Sequence, residues 1–200
     1  IIVWNDADIR NYHSKFIYGL VGPLLQFEGI EYVKGFYKRP LGKFESGKFY
    51  YSSLGGGRVT ELTFRIQIGK YFPQLTGFIQ PLSGEYAGTR KVLQEVSFYS
   101  GYGVETGLLI NILDKFGLDA MAQVDLDIRE HRNQDLDNLR KMAFVVNEVI
   151  RKEARKRKRK PILDSKLYIP SYVYGETNLE EIVLKDKELA PVIGNSHYKK

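Results

Sequence analysis

The sequence predicts an α/β domain, and three observations carry that expectation. Short apolar or alternating runs with strand character recur along the chain. Runs with apolar residues at helical spacing fall between them. Glycine- and proline-containing turns separate the two kinds.

Taken in order, "IIVW" at residues 1–4 reads as the end of a buried strand. "KFIYGLVGPLLQ" has helical spacing, broken at Gly22-Pro23 because proline has no backbone N–H to donate. "IEYVKGFYKRPL" alternates apolar and polar residues and reads as a strand. "KFYYSSLGGGRVTELTFRIQIGKYF" gives a glycine-rich turn and then a helix. "GFIQPLSGEYAGTRKVL" reads as strand, turn and helix start. "YGVETGLLINILDKFG" has helical spacing that stops at Gly117. "AMAQVDLDIREH" reads as a strand. Leu136, Leu139, Met142, Ala143, Val146, Val149 and Ile150 then form one helix stripe. That helix runs into a basic segment ahead of Pro161. The chain thus divides into a main part (1–134), an amphipathic helix with a basic end (135–160) and an irregular C-terminal arm (161–200).

Two hundred residues suit one domain, and a hydrophobic content of 43% can build a sizeable core. No apolar run approaches the roughly 18 residues of a membrane span. No basic segment followed by an apolar one opens the chain, so no signal peptide is read. The absence of cysteine excludes disulfides and thiolate metal sites, and a cytoplasmic setting is the default expectation. The net charge of +6 is local rather than general. "RKEARKRKRK" (Arg151 to Lys160) holds eight basic residues and one acid, leaving 22 basic and 23 acidic residues elsewhere. Such a run either contacts an anionic polymer or surface, or is a solvated helix end.

Four constellations carry chemistry. Asp6-Ala7-Asp8 follows the first strand directly. Ligands gather at the carboxyl ends of strands in open α/β sheets, and carboxylates there can hold a hard cation with substrate phosphates. The same triplet also suits a turn or a cap. "SLGGGRVTE" offers backbone N–H groups freed by glycine, the guanidinium fork of Arg58 and the hydroxyl of Thr60 to an anion. It can equally be a plain turn. Arg129, His131 and Asn133 alternate at a strand end, where His131 can be a neutral cation ligand. Glu105 stands between glycines at the start of an apolar helix. It can complement the helix dipole or accept two sugar hydroxyls.

In chain order, "DADI", "YGLVGPLL", "VKGFYKRPL", "GGGRVTEL", "QPLSGEYAG", "GYGVETGLLI", "GLDAMAQVDL" and "REHRNQ" resemble the glucosyl-3-phosphoglycerate synthases. These are retaining glycosyltransferases of the GT-A fold, and the resemblance covers roughly residues 1–150. It implies a partial GT-A domain with a mixed sheet and flanking helices. The implied reaction moves glucose from UDP-glucose to the 2-hydroxyl of 3-phosphoglycerate with Mg²⁺ or Mn²⁺. Asp6, Asp8 and His131 fall on the family's metal ligands. Gly57, Arg58, Thr60 and Asn133 fall on its acceptor site. Asp6, Ala7, Asp8, Tyr102, Gly103 and Glu105 fall on its donor site, and Glu105 and Arg129 on its catalytic positions. The resemblance further implies a homodimer. Mannosyl-3-phosphoglycerate synthases, which use GDP-mannose, are relatives. Only five residues precede Asp6, whereas the family places a uridine-binding half there. The expectation is therefore a C-terminal portion of a longer polypeptide, with little activity by itself. A nucleic-acid role for the basic run is the rival from another class, and it is disfavoured because aromatic residues do not accompany the run.

Overall fold

Strands of three residues cannot bury a face alone, so they must pair within a larger sheet. The computed structural model describes residues 1–38, 41–45, 48–52, 57–130, 134–162, 166–173 and 175–183. For 41–45 and 48–52 the description covers the backbone. A four-stranded sheet runs in the order β1-β5-β2-β6. These strands are β1 (Ile2–Trp4), β2 (Tyr32–Lys38), β5 (Tyr86–Gly88) and β6 (Met121–Ile128). β5 pairs antiparallel with both β1 and β2, in register Ile2↔Gly88 and Val33↔Ala87. β2 pairs parallel with β6, so the sheet is mixed. The α/β class expected from the sequence is the class observed.

β2 departs from the expected half-exposed strand. Every residue from Tyr32 to Tyr37 is buried, including the polar Lys34. The reason is that both faces of the sheet are covered. On one face α1 (Lys15–Gln26) buries Phe16 and Leu20 against Val33, Ala87 and Leu126. On the other, Tyr32 and Tyr86 join Phe64, Ile68, Val92, Leu108 and Ile112 in the larger core. α1 also runs through Pro23 rather than breaking at Gly22-Pro23. Pro23 lies beyond the buried Phe16 and Leu20, and tertiary packing holds the helix through it.

α2 (Arg65–Tyr71) follows a π-helical turn at Thr60–Phe64, and α3 (Arg90–Glu95) follows β5. The expected strand around residue 78 is absent; the strand of that region is β5, placed later. α4 (Val104–Phe116) is buried without a break from Thr106 to Ile112 and ends at Gly117, where φ is 83°. α5 (Leu136–Lys156) starts at Asp135, whose side chain accepts from the Asn138 N–H. It buries Val146, Val149, Ile150 and Ala154 and packs against α4, α2 and the turn ahead of α4.

Two further strand pairs are found among the described residues. β3 (Leu41–Glu45) pairs with β4 (Lys48–Ser52). The expected irregular arm instead contains a hairpin of β7 (Lys166–Val173) and β8 (Glu176–Val183). β7 rests on α2, and Tyr172 meets Phe36 edge-on at 4.9 Å between ring centres. Among the described residues no helix is long and apolar enough to cross a membrane.

The basic segment is only partly a surface feature. Arg157 reaches Asp114 on α4 at 3.0 Å and donates to Asn111 at 2.8 Å. Arg159 lies over the Phe72 ring and donates to the Tyr71 carbonyl. Arg157 and Arg159 therefore fasten the end of α5 to its neighbours.

Candidate active site

The carboxyl end of β1 delivers Asp6 and Asp8 on a turn, and the end of β6 delivers Arg129. β6 carries an extra residue relative to β2 between Phe36 and Lys38, and Asp127 takes a left-handed φ of 71° there. Such a bulge bends a strand and ends its ladder. Arg129 therefore lies just beyond the strand, and its N–H donates to the Lys38 carbonyl. Its guanidinium is 3% exposed and reaches Asp6 Oδ2 at 2.7 Å and Asp8 Oδ1 at 3.0 Å through Nη2. Nη1 donates to the Tyr37 hydroxyl at 3.0 Å. Burial works against the guanidinium's charge, but Tyr37, Glu85, Asp6 and Asp8 outweigh it and raise its pKa.

The other walls come from distant parts of the chain. Gly57 has φ 84°, which glycine adopts without strain, and it opens the helical turn that carries Arg58 and Thr60. Arg58 donates to the Gln134 carbonyl at 2.8 Å, so the turn is tied to the segment ahead of α5. Tyr102 and Glu105 come from the start of α4. Ser83 and Gly84 form part of the floor. Ile169, Pro170, Ser171 and Tyr172 of β7 close one side. All of these groups line one cleft of about 780 Å³ together with Asp6, Asp8 and Arg129.

Glu105 is half-buried in the cleft wall, and that desolvation pushes its carboxyl above the ordinary 4.5 while the Lys34 ammonium opposes the rise. Lys34 is itself buried beneath the cleft, donating to the Ser83 carbonyl at 2.5 Å and lying 4.8 Å from the Tyr86 ring centre. Burial, with Glu105 nearby, also raises the Tyr86 phenol well above its usual range.

The structure brings together Asp6, Asp8, Gly57, Arg58, Thr60, Tyr102, Glu105 and Arg129. Ala7 is exposed on the turn between the aspartates. Gly103 faces away from the cleft instead: a Cβ there would lie 2.8 Å from Val149 and 3.3 Å from Tyr99. It is a packing position under α5. His131 and Asn133 lie outside the described residues. The expected side-by-side array of Arg129, His131 and Asn133 on a strand does not hold for Arg129, because β6 stops at Ile128.

Sequence reasoning missed Lys34, Tyr37 and Glu85. Lys34 stands at a polar position of an alternating run, which signals solvent rather than burial. Glu85 stands inside "QPLSGEY", a loop expected to lie beside the site, but no pattern there shows that this residue is fully buried.

Two carboxylates with one oxygen each on Arg129, and with side chains 46% and 58% exposed, retain outward oxygens for a hard cation. Among the described residues no three His, Asp or Glu side chains gather into a metal cluster. The pair thus fits a cation that is completed by substrate oxygens.

No family model matches the chain. The chain is 52% identical over 156 residues to a glucosyl-3-phosphoglycerate synthase of Petrotoga mobilis, covering 78% of this chain and 47% of that protein. The chain spans about half the length of the curated relatives it matches. It is also similar to the crystal structure of glucosyl-3-phosphoglycerate synthase from Mycobacterium tuberculosis in complex with Mn²⁺, uridine-diphosphate-glucose and phosphoglyceric acid. That match has a TM-score of 0.66 at 39% identity, covering 92% of this chain and 56% of the other. The mannosyl-3-phosphoglycerate synthase of Rubrobacter xylanophilus matches with a TM-score of 0.69 at 35% identity, covering 94% of this chain and 59% of the other. Sequence and fold agree: over most of its length this chain is similar to part of the glucosyl-3-phosphoglycerate synthases, and it shares the α/β fold of their solved structures.

Proposed function

We propose that this chain supplies the cation- and acceptor-binding part of a retaining transferase that moves glucose from UDP-glucose to the 2-hydroxyl of 3-phosphoglycerate. The observation that carries this reading is the convergence of the aspartate pair, the Gly57–Thr60 turn and Glu105 on one cleft. Solved relatives bound to Mn²⁺, UDP-glucose and phosphoglyceric acid support the same substrates.

In this reading Asp8 and Asp6 hold Mg²⁺ or Mn²⁺, with His131 as a third donor on the family pattern. When bound, the cation supplies charge neutralisation for the departing diphosphate. Arg129 keeps the two aspartates in place and adds a fixed positive charge at the same edge. Backbone N–H groups near Gly57, the guanidinium of Arg58 and the hydroxyl of Thr60 receive the acceptor phosphate, with Asn133 assisting. Glu105 accepts hydroxyls of the transferred hexose, and Tyr102 forms the wall beside it. The acceptor hydroxyl then approaches from the side of the departing diphosphate, which gives retention without an enzyme nucleophile. The exposed outer face of α5, where Phe144 is 68% exposed, serves as the contact between two copies. A Phe144→Glu variant should then run as a monomer by light scattering where the parent runs as a dimer.

UDP release by the full-length protein tests the reaction. It is expected with UDP-glucose and Mn²⁺ only when 3-phosphoglycerate is present. Release of GDP from GDP-mannose, in place of UDP from UDP-glucose, would move the donor to the alternative of a mannosyl transferase, a solved example of which shares this fold. Silence with both donors would overturn the reading.

A further inference from the structure

One carboxylate stands behind the aspartate pair without lining the cleft. Glu85 directly precedes β5 and has no exposed surface. Tyr37 donates its hydroxyl to Glu85 Oε2 at 2.6 Å. Arg129 Nε stands 3.3 Å from Oε1. The backbone N–H of Asp6 points at the same oxygen from 3.4 Å. The Glu85 carbonyl accepts from the Gly35 N–H at 2.9 Å, which pins the residue to the central strand. Two glycines make room for the arrangement. A Cβ on Gly35 would lie 3.2 Å from Glu85 Cβ, and a Cβ on Gly84 would lie 2.0 Å from Asp6 Oδ1.

These contacts divide one guanidinium among three carboxylates. Nη2 serves Asp6 and Asp8, Nη1 serves Tyr37, and Nε faces Glu85. An arginine paired only with Asp6 and Asp8 would be free to turn and take both carboxylates by its fork. Those oxygens would then be lost to a cation. Tyr37 takes Nη1 in a hydrogen bond and the Glu85 charge faces Nε as an ion pair at 3.3 Å, so Arg129 offers the aspartate pair a single nitrogen. Three carboxylates around one guanidinium also leave the edge negative, as a divalent cation requires.

We propose that Glu85 is the positioning residue that fixes Arg129 and the Asp6–Asp8 pair in the geometry that accepts a divalent cation. This rests on the reading of Asp6 and Asp8 as cation ligands, and the test separates the two. Mn²⁺ is titrated into the full-length protein in the presence of UDP, and free Mn²⁺ is followed by its electron paramagnetic resonance signal. Asp8→Ala is expected to lose Mn²⁺ binding. Glu85→Gln is expected to raise the Mn²⁺ dissociation constant about tenfold, the usual scale for a group supporting a metal ligand. Its kcat should fall while the KM for 3-phosphoglycerate changes by less than about twofold, since the Gly57–Thr60 turn lies outside this network. Tyr37→Phe removes one hydroxyl and should shift Mn²⁺ affinity in the same direction by about threefold. Thermal melts keep a loss of fold apart from a loss of geometry. If Glu85→Gln does not fold, unchanged Mn²⁺ affinity in Tyr37→Phe overturns the proposal. Parental affinity in a folded Glu85→Gln, beside lost binding in Asp8→Ala, overturns the positioning role and leaves the cation reading intact. Retained binding in Asp8→Ala overturns both.

Discussion

Gly84 leaves no room for a side chain. A Cβ there would sit 2.0 Å from Asp6 Oδ1 and 2.4 Å from Asp6 Cγ. The Asp6 side chain is 46% exposed, so it can turn toward water instead of forcing the backbone apart. Gly84→Ala should therefore keep the parental melting temperature within about 2 °C. It should lower kcat/KM about a hundredfold, the effect of misplacing a site group by an ångström. Steady-state rates beside a thermal melt check both halves. Glu105 gives a pH-dependent outcome. Burial raises its carboxyl pKa in the folded chain, despite the opposing Lys34 charge. Its contribution to stability is full below the ordinary 4.5 and is lost as pH rises through the raised value. Glu105→Gln cannot ionise. Its melting temperature should gain on the parent's as pH rises above the ordinary 4.5, and a constant gap would refute the account. At this scale the sequence named the exposed ends of the site but not its supports. Asp6, Asp8 and Arg58 stand in short motifs that can be read locally. Lys34, Tyr37 and Glu85 act through partners at least 43 residues away, which no local pattern encodes.

Elements were legible where one face meets the core at a regular period. The stripe from Leu136 to Ile150 became α5, and the apolar run after Glu105 became α4. α1 was legible only in part, because Pro23 signals a break that packing overrides. The end of α5 shows a different limit. "RKEARKRKRK" reads as solvated charge, yet Glu153 is 2% exposed within it. Burial pushes the Glu153 carboxyl up, and hydrogen bonds from Tyr99 and Arg157 outweigh that, leaving its pKa lowered. Arg157 also holds Asp114 and Asn111, so one side chain joins α5 to α4. Arg157→Ala would strip Glu153 of its cationic partner inside the protein. Breaking such a pair costs about 3 kcal/mol. Urea unfolding should show that loss, whereas Lys156→Ala, an exposed neighbour in the same run, should change stability by less than about 0.5 kcal/mol. Equal effects would return the whole run to plain surface charge.

For the molecule as a whole, the question is how the β7–β8 hairpin relates to the domain it rests on. Its strands escaped the sequence because β8 is exposed at every residue and carries no burial alternation. A lone two-stranded hairpin is marginal in water, so this one depends on what β7 touches. Its contacts among the described residues include α2 and the Phe36 ring, both beside the cleft. The dependence runs one way. The sheet, α4 and α5 form their own cores, and no β7 or β8 side chain belongs to either. Ending the chain after Ile162 should therefore lower the melting temperature by only about 2–4 °C. The Ile162 N–H to Lys70 carbonyl bond would be retained. The same truncation removes Ile169, Pro170, Ser171 and Tyr172 from the cleft wall, on the side that also carries Phe36. In the full-length protein the KM for 3-phosphoglycerate should rise about tenfold, a loss near 1.4 kcal/mol of binding. Tyr172→Ala should reproduce part of that rise, since its ring anchors β7 to Phe36. A truncated protein that melts far below the parent would mean that the hairpin is part of the core. One that melts normally and keeps the parental KM would mean that β7 borders the cleft without shaping what enters it.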